Sequence, residues 1–237
     1  MIGPSLIPEW LMSHDPPRSA QADLDTKPEC ANEPGAWTFF RQWLRNPRAI
    51  AALSPSSRQL AKHMIEQLPH GARRVIELGG GTGVFTQALI AHGIHPEALL
   101  VVELNEELHQ LLHQRFPKVH VVCGDAQALK SIVHANGFDV DGKVDAVISG
   151  LGLLSMSRAT QRAILKGVFA VLGDEGRFIQ FTYGPASPVS RELLNELDLN
   201  VNRASIAWMN VPPATVYVYT RNRSKGIRSI RQPSRRS

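Results

Sequence analysis

An open, mostly parallel α/β sheet is the fold this sequence predicts, from three apolar runs that each end at a carboxylate. Val75-Ile76-Glu77-Leu78 enters the glycine turn Gly79-Gly80-Gly81-Thr82-Gly83, Leu99-Leu100-Val101-Val102 ends in Glu103, and Val121-Val122-Cys123-Gly124 ends in Asp125. A helix-length segment separates the first two runs, which makes a βαβ unit. In such sheets the ligand sits beyond the carboxyl ends of the strands.

The turn selects among ligands. Its glycines fall as Gly79-x-Gly81-x-Gly83, and Val84 stands where a dinucleotide fingerprint needs its last glycine. No Lys-Ser/Thr pair follows, so the turn is not a phosphate-gripping P-loop. Glycine lets the backbone reach positive φ and lets a ligand lie against it. A turn that keeps Glu77 beside its ligand suits a cation better than a pyrophosphate, and S-adenosylmethionine (SAM) carries a sulfonium and an ammonium. Glu103 follows Gly83 by 20 residues, where a carboxylate accepts both ribose hydroxyls. Three markers in this order resemble class I methyltransferases, in which the Asp125 position faces the adenine amino group. The expected cofactor set is therefore Glu77, Gly79, Gly81, Thr82, Gly83, Glu103, Leu104, Asp125 and Ala126.

Taken in order, the elements support the same architecture. Ser54 caps and Pro55 opens a first helix, with Leu60, His63, Met64 and Leu68 as its buried stripe and Pro69-His70-Gly71 as its end. Strand one spans 74–78, and a helix over 83–92 turns Phe85, Leu89 and Ile90 inward. Strand two spans 99–103, a helix 106–116, strand three 119–123 and strand four 144–149. A helix over 159–172 turns Ile164, Val168, Phe169 and Leu172 inward and closes at Gly173. Strand five covers 176–181 and leads to Thr182-Tyr183-Gly184-Pro185, and a short helix follows at 190–197. Two last runs, 206–211 and 215–220, are joined by Pro212-Pro213-Ala214 and predict an antiparallel closing hairpin. His109 and His113 stand four apart on one helix, but no third ligand accompanies them, so the spacing reads as a solvated face and no metal is expected.

Composition narrows the setting. Cys30 and Cys123 form no CxxC and no cysteine–histidine cluster, which argues against a disulfide scaffold or structural zinc and fits a reducing cytoplasm. No run of about eighteen apolar residues offers a membrane span, and the start shows no secretory leader. The net charge of +5 is concentrated in 221–237, which holds seven basic side chains and no acidic one. Such a tail reads either as contact with an anionic surface or as a solvated end. Residues 1–34, rich in proline, read as a disordered arm, and 222–237 as a disordered basic tail around a domain at 35–221. At the start of that domain, 37–48 is expected to form an amphipathic helix with Trp37, Phe39, Phe40, Trp43 and Leu44 on one half of the wheel and Arg41, Arg45 and Arg48 on its flank. Aromatics opposite arginines compose a helix lying in a membrane interface; the alternative is a helix packed on the domain.

Longer motifs carry a more particular resemblance. Phe39-Phe40-x-x-Trp43-x-x-x-Pro47, Ala51-x-x-x-Pro55-Ser56-Ser57, Ser149-Gly150-Leu151-x-Leu153-Leu154-Ser155, Phe178-x-Gln180-Phe181-Thr182-Tyr183-Gly184 and Asn210-x-Pro212-Pro213-Ala214 are similar to the bacterial class I phospholipid N-methyltransferases. The likeness runs from about Trp37 to Arg221. It implies a Rossmann-like, mostly parallel seven-stranded sheet with an antiparallel C-terminal hairpin. The implied activity is SAM-dependent methylation of phosphatidylethanolamine, and of its mono- and dimethyl forms towards phosphatidylcholine. The implied location is the inner face of the cytoplasmic membrane, with Trp37, Phe40, Arg41, Trp43 and Arg45 on an anionic surface. Gly152 departs from the family, where proline is more frequent, and this leaves the loop after strand four freer. Tyr183 is expected near the sulfonium, its ring holding a methylated ammonium, while Ser149 and the backbone carbonyls of Gly150 and Leu151 hold the amine. An rRNA adenine dimethyltransferase is the competing reading. Its Asn-hydrophobic-Pro-aromatic loop, which grips a flipped base, is replaced here by Ser149-Gly150-Leu151-Gly152, so a nucleic acid acceptor is not expected. A non-catalytic SAM-binding protein is the remaining alternative.

Overall fold

The computed structural model describes residues 55–139, 143–183, 186–208 and 213–222. The proline-rich arm, the aromatic–arginine segment at 37–48, Ser54 and the basic tail beyond 222 lie outside the described residues.

Seven strands form one sheet in the order β3-β2-β1-β4-β5-β7-β6. They are β1 (Val75–Leu78), β2 (Leu99–Glu103), β3 (His120–Cys123), β4 (Val144–Ser149), β5 (Leu172–Tyr183), β6 (Leu199–Ala207) and β7 (Ala214–Arg221). The first five are parallel, and β7 lies antiparallel to both β5 and β6. Strands β1 and β2 are buried along their whole length, as expected for parallel strands covered on both faces. Their apolar runs, broken by Glu77 in β1 and ended by Glu103 in β2, are the sequence form of that burial.

Among the described residues six helices cover the sheet: α1 (Pro55–Ile65), α2 (Val84–His92), α3 (Glu106–Arg115), α4 (Leu129–Ala135), α5 (Arg158–Val171) and α6 (Arg191–Glu196). Asn105, Ser157 and Ser190 cap α3, α5 and α6 by accepting from the amides of Leu108, Thr160 and Leu193. One core packs α4, α5 and α6 on the face of Ile76, Leu78, Val147 and Phe178. The other packs α1, α2 and α3 on the face of Val75, Val101, Ile148 and Ile179. Alternate strand residues feed the two layers, as the two-residue period of a strand requires.

Three features depart from the sequence expectation. Helix α4 occupies a stretch the sequence reading left unassigned, with Leu129, Ile132 and Val133 buried. Strand β5 begins at Leu172, pairing with Val144 before a register shift restores Arg177 opposite Ala146. Strand β6 begins at Leu199, seven residues before the predicted apolar run. It is an edge strand with much of its length exposed, so Asn200, Asn202 and Arg203 break the apolar signal without breaking the ladder.

Candidate functional site

The sheet order reverses direction at β1 and β4, which are adjacent in space, and their carboxyl ends open the crevice in which such folds bind ligands. The glycine turn leaves β1 at this point. Gly79, Gly81 and Gly83 adopt φ of 74°, 55° and 83°, the left-handed region that side chains disfavour. Space is short as well: a Cβ on Gly80 would fall 2.5 Å from Val101 Cγ1, and one on Gly83 the same distance from Phe116 Cε2. Gly83 then starts α2 without a side-chain cap, so no side chain of the cap residue takes up that helix end's amides.

Two carboxylates support the turn from below. Glu103, at the end of β2, is 2% exposed. Its Oε2 accepts from the Gly81 amide and its Oε1 from the Asn105 amide, both at 2.9 Å. Burial raises its pKa, and these backbone donors and the nearby His109 pull it back down. Each oxygen keeps a second lone pair, so the carboxylate can still receive ribose hydroxyls. Glu77 is fully buried in β1. Its Oε2 accepts from the Thr86 hydroxyl at 2.6 Å, and its Oε1 has no hydrogen-bond partner. Burial pushes its carboxyl up to about 8, against the Thr86 hydrogen bond and with Glu103 adding to the rise. An orphaned carboxyl oxygen under a turn that only glycine can form is the environment a cationic ligand completes, so these residues fit SAM.

The remaining expected residues surround this pair. Thr82 is half-buried in the turn, and its carbonyl accepts from Arg115 at 2.9 Å. Leu104 follows Glu103 and is half-buried, and Ala126 is buried beside β3. Asp125 is exposed and accepts from the backbone and side-chain nitrogens of Gln127.

Across the crevice, Ser149 ends β4 with its side chain buried, and its Oγ accepts from the Leu151 amide at 3.2 Å. The Leu151 carbonyl, expected to receive an amine, already accepts from Gln180 Nε2 at 2.9 Å. Gly152 has φ of −76°, which any residue adopts. Its carbonyl accepts from the Ser155 amide at 3.0 Å and from the Ser155 hydroxyl at 2.8 Å. The loop is thus fastened through its backbone at Gly152. Tyr183, expected in the loop after strand five, is instead the last residue of β5 and is 45% exposed. Its ring meets Phe181 edge-on at 5.5 Å, and Phe181 meets Phe85 of α2 at 5.9 Å. That aromatic chain links the acceptor side of the crevice to the helix after the glycine turn.

Thr86, Gln161 and Gln180 are site-facing or site-supporting residues that the sequence reading did not assign. Gln180 alone carried a signal, as an amide within an apolar strand. His109 Nε2 lies 3.3 Å from the Val121 carbonyl and the His109 and His113 rings are 6.2 Å apart; no group of three or more metal-ligating side chains occurs among the described residues. Two surface clefts lie at the opposite, amino-terminal edge of the sheet, one by Lys130, Asp139 and Lys143, the other by Leu68, His70 and Ile94. Neither adjoins the glycine turn.

Comparison with known proteins agrees with this geometry. Residues 75–176 match the model of a methyltransferase domain family. An ornithine lipid N-methyltransferase from Singulisphaera acidiphila is 35% identical over 152 residues, spanning 62% of this chain and 77% of the relative. A ribosomal RNA small subunit methyltransferase A from a Synechococcus strain is 36% identical over 93 residues, but only 29% of that protein is covered. Among solved structures, a TehB-like SAM-dependent methyltransferase from Corynebacterium glutamicum superposes with a TM-score of 0.55 at 18% identity, covering 76% of this chain and 97% of that one. Magnesium protoporphyrin IX methyltransferase from Synechocystis, solved with bound SAM, gives 0.52 at 15% identity, covering 78% and 92%. The cofactor is SAM, and the chain belongs to the class I SAM-dependent methyltransferases.

Proposed function

We propose that this methyltransferase acts on the amino headgroup of a membrane lipid, with phosphatidylethanolamine as the acceptor that the sequence motifs favour. The observation that carries the reading is the extent of likeness to a lipid N-methyltransferase, over 77% of its length. The relative's named acceptor and phosphatidylethanolamine share one chemistry, an amine on a lipid.

Bound SAM supplies a methyl group already activated on a sulfonium, so the chain's own task is alignment and exclusion of water. Glu103 holds the ribose, Asp125 with Ala126 receives the adenine, and Glu77 balances cationic charge below the turn. Ser149 and Tyr183 flank the entering amine, Tyr183 by a cation–π contact of about 0.5–2 kcal/mol once the nitrogen is methylated. The edge around them is apolar. Leu154 just after β4, Tyr183 at the end of β5 and Trp208 just after β6 are three of the four large hydrophobic side chains exposed among the described residues. Tyr183 pairs with Ala214 and Ala214 with Ala207, so Tyr183 and Trp208 sit at one end of the sheet. Exposed apolar groups gathered at a site entrance suit a lipid surface, as does the Trp37, Phe40, Arg41, Trp43 and Arg45 segment. No helix among the described residues is long and apolar enough to cross a membrane, and peripheral attachment at the inner membrane face accords with that.

The rRNA reading has the partial match in its favour. Against it stands the loop after β4, which offers neither a side-chain amide nor an aromatic ring to a flipped base. The deciding experiment incubates the protein with SAM and, separately, vesicles containing phosphatidylethanolamine, vesicles containing ornithine lipid, and ribosomal RNA, and identifies products by mass. Methylated phosphatidylethanolamine is the expected product. Methylation of ornithine lipid alone would reassign the headgroup, and methylated RNA with unmodified lipids would refute the lipid reading.

A further inference from the structure

Two buried glutamines hold the loop that runs from Ser149 to Ser155. Gln180 of β5, 1% exposed, donates through Nε2 to the carbonyls of Leu151 at 2.9 Å and Phe181 at 2.6 Å. Gln161 of α5, also buried, donates to the Leu153 carbonyl at 2.7 Å. The loop so held lies directly on the cofactor turn. A Cβ on Gly79 would come within 2.9 Å of Leu151 Cδ2, and one on Gly150 within 2.9 Å of the Gly79 carbonyl. The Gly150 amide donates to the Leu78 carbonyl at 2.8 Å, tying the loop to the end of β1.

Gln180 has a further peculiarity. With Nε2 committed to two carbonyls, its amide orientation is fixed, and its Oε1 is left buried without a hydrogen-bond partner. A methionine or leucine would fill this position without an orphaned Oε1 but would take a donor from the Leu151 and Phe181 carbonyls, so the amide is accounted for by what it holds and not by packing. Gln180 stands opposite Ser149 in the register of β4 and β5, and the carbonyl it grips is that of the residue packed on Gly79.

We propose that Gln180 is a positioning residue for methyl transfer: its amide fixes the Ser149–Ser155 loop at the height above the glycine turn that the acceptor requires. Gln161 holds the far end of the same loop. The inference rests on this loop being the acceptor side of the site. Loss of the Gln180 bond lets the loop lift from the turn while Glu103 and its backbone donors stay in place. The deficit therefore falls on the acceptor and not on the cofactor.

The test uses the full chain with Gln180→Met, which keeps length and apolar filling, and Gln180→Leu as a second variant. Three quantities are measured: hydrogen exchange of the amides from Leu151 to Ser155, SAM affinity by calorimetry, and steady-state methylation of phosphatidylethanolamine vesicles. Exchange in the loop is expected to rise, and kcat/KM for the lipid to fall by about tenfold, the scale of one lost hydrogen bond. SAM affinity is expected to stay within about twofold. Wild-type exchange and wild-type kcat/KM in both variants would overturn the proposal, as would a loss of SAM affinity equal to the loss of lipid turnover. Where the wild-type protein leaves the vesicles unmodified, the lipid reading fails separately and the exchange measurement alone decides: faster loop exchange upholds the latch and unchanged exchange removes it.

Discussion

Replacing Glu77 with Gln isolates the buried charge beneath the glycine turn. Burial holds this carboxyl at about 8 in the folded protein, against an ordinary value of 4.5. Between those two pH values the folded chain keeps a proton that the unfolded chain has released. Stability therefore falls as pH rises through that window, and is level above it once both states are ionised. At about 1.36 kcal/mol per pH unit, the whole fall is at most about 5 kcal/mol. Glu77→Gln retains an oxygen for the Thr86 hydroxyl and cannot ionise. Its stability is expected to match wild type near pH 5 and to exceed it near pH 8.5 by roughly 2–5 kcal/mol, read from urea unfolding across pH. Cofactor binding couples to the same proton. At pH 7 the wild-type carboxyl is about nine-tenths protonated, and a cationic ligand favours its ionised form, so binding expels up to about 0.9 proton. Calorimetry in buffers of different ionisation enthalpy measures that release, and the Gln variant is expected to show none. Parallel stability curves for the two proteins between pH 5 and 8 would refute the burial argument. Proton-neutral SAM binding at pH 7 would refute the link between Glu77 and the cofactor.

Glu103→Ala removes the acceptor of the Gly81 and Asn105 amides as well as the ribose partner, and calorimetric SAM affinity is expected to fall by roughly 1.5–3 kcal/mol for each hydrogen bond lost to the ligand. Gly83→Ala places a methyl group against Phe116 at a positive φ, so its thermal midpoint is expected to drop by several degrees, more than that of Gly81→Ala. Tyr183→Phe keeps the ring and Tyr183→Ala loses it; later methylations of an already methylated lipid are expected to persist in the first and fade in the second, and equal turnover in all three proteins would discard the ring's role. Trp43→Ala, and Arg41→Glu with Arg45→Glu, are each expected to reduce sedimentation with anionic vesicles while SAM affinity is unchanged. Each arginine near such a surface contributes about 1 kcal/mol, so rising salt is expected to mimic the second change.

The legible parts of the molecule were those where one physical demand dominates. Buried parallel strands demand continuous apolar runs, and β1, β2 and β4 were read to within a residue. A turn forced through positive φ demands glycine, and Gly79, Gly81 and Gly83 all adopt it. Legibility failed where demands compete. At the exposed edge, β6 needs only backbone pairing with β7, so the polar Asn200, Asn202, Arg203 and Ser205 among its first seven residues read as loop. Helix α4 spans only seven residues, too few for a periodic stripe to stand out. In the site, the carboxylates at strand ends were visible because their type and spacing are restricted. Whether Glu77 faces ligand or protein was not visible, since Thr86 reaches it only through the fold of α2. Gln161 and Gln180, nineteen residues apart in sequence, meet on one loop through packing that no local pattern records.

The reversal of strand order between β1 and β4 divides the work of the site between two stretches of chain. The glycine turn, Glu77, Glu103 and Asp125 all come before residue 126, while Ser149, the latched loop, Gln180 and Tyr183 all follow residue 148. At the crevice the two halves meet where Gly79 lies against Gly150 and Leu151, where the Gly150 amide bonds the Leu78 carbonyl, and where Phe85 meets Phe181. Selection can therefore rewrite the second half, and with it the molecule being methylated, without disturbing the first. A lineage using this layout is free to exchange one acceptor for another by drift in a few loops, with the contacts at Gly79 and at Phe85 among the positions where both halves must change in step.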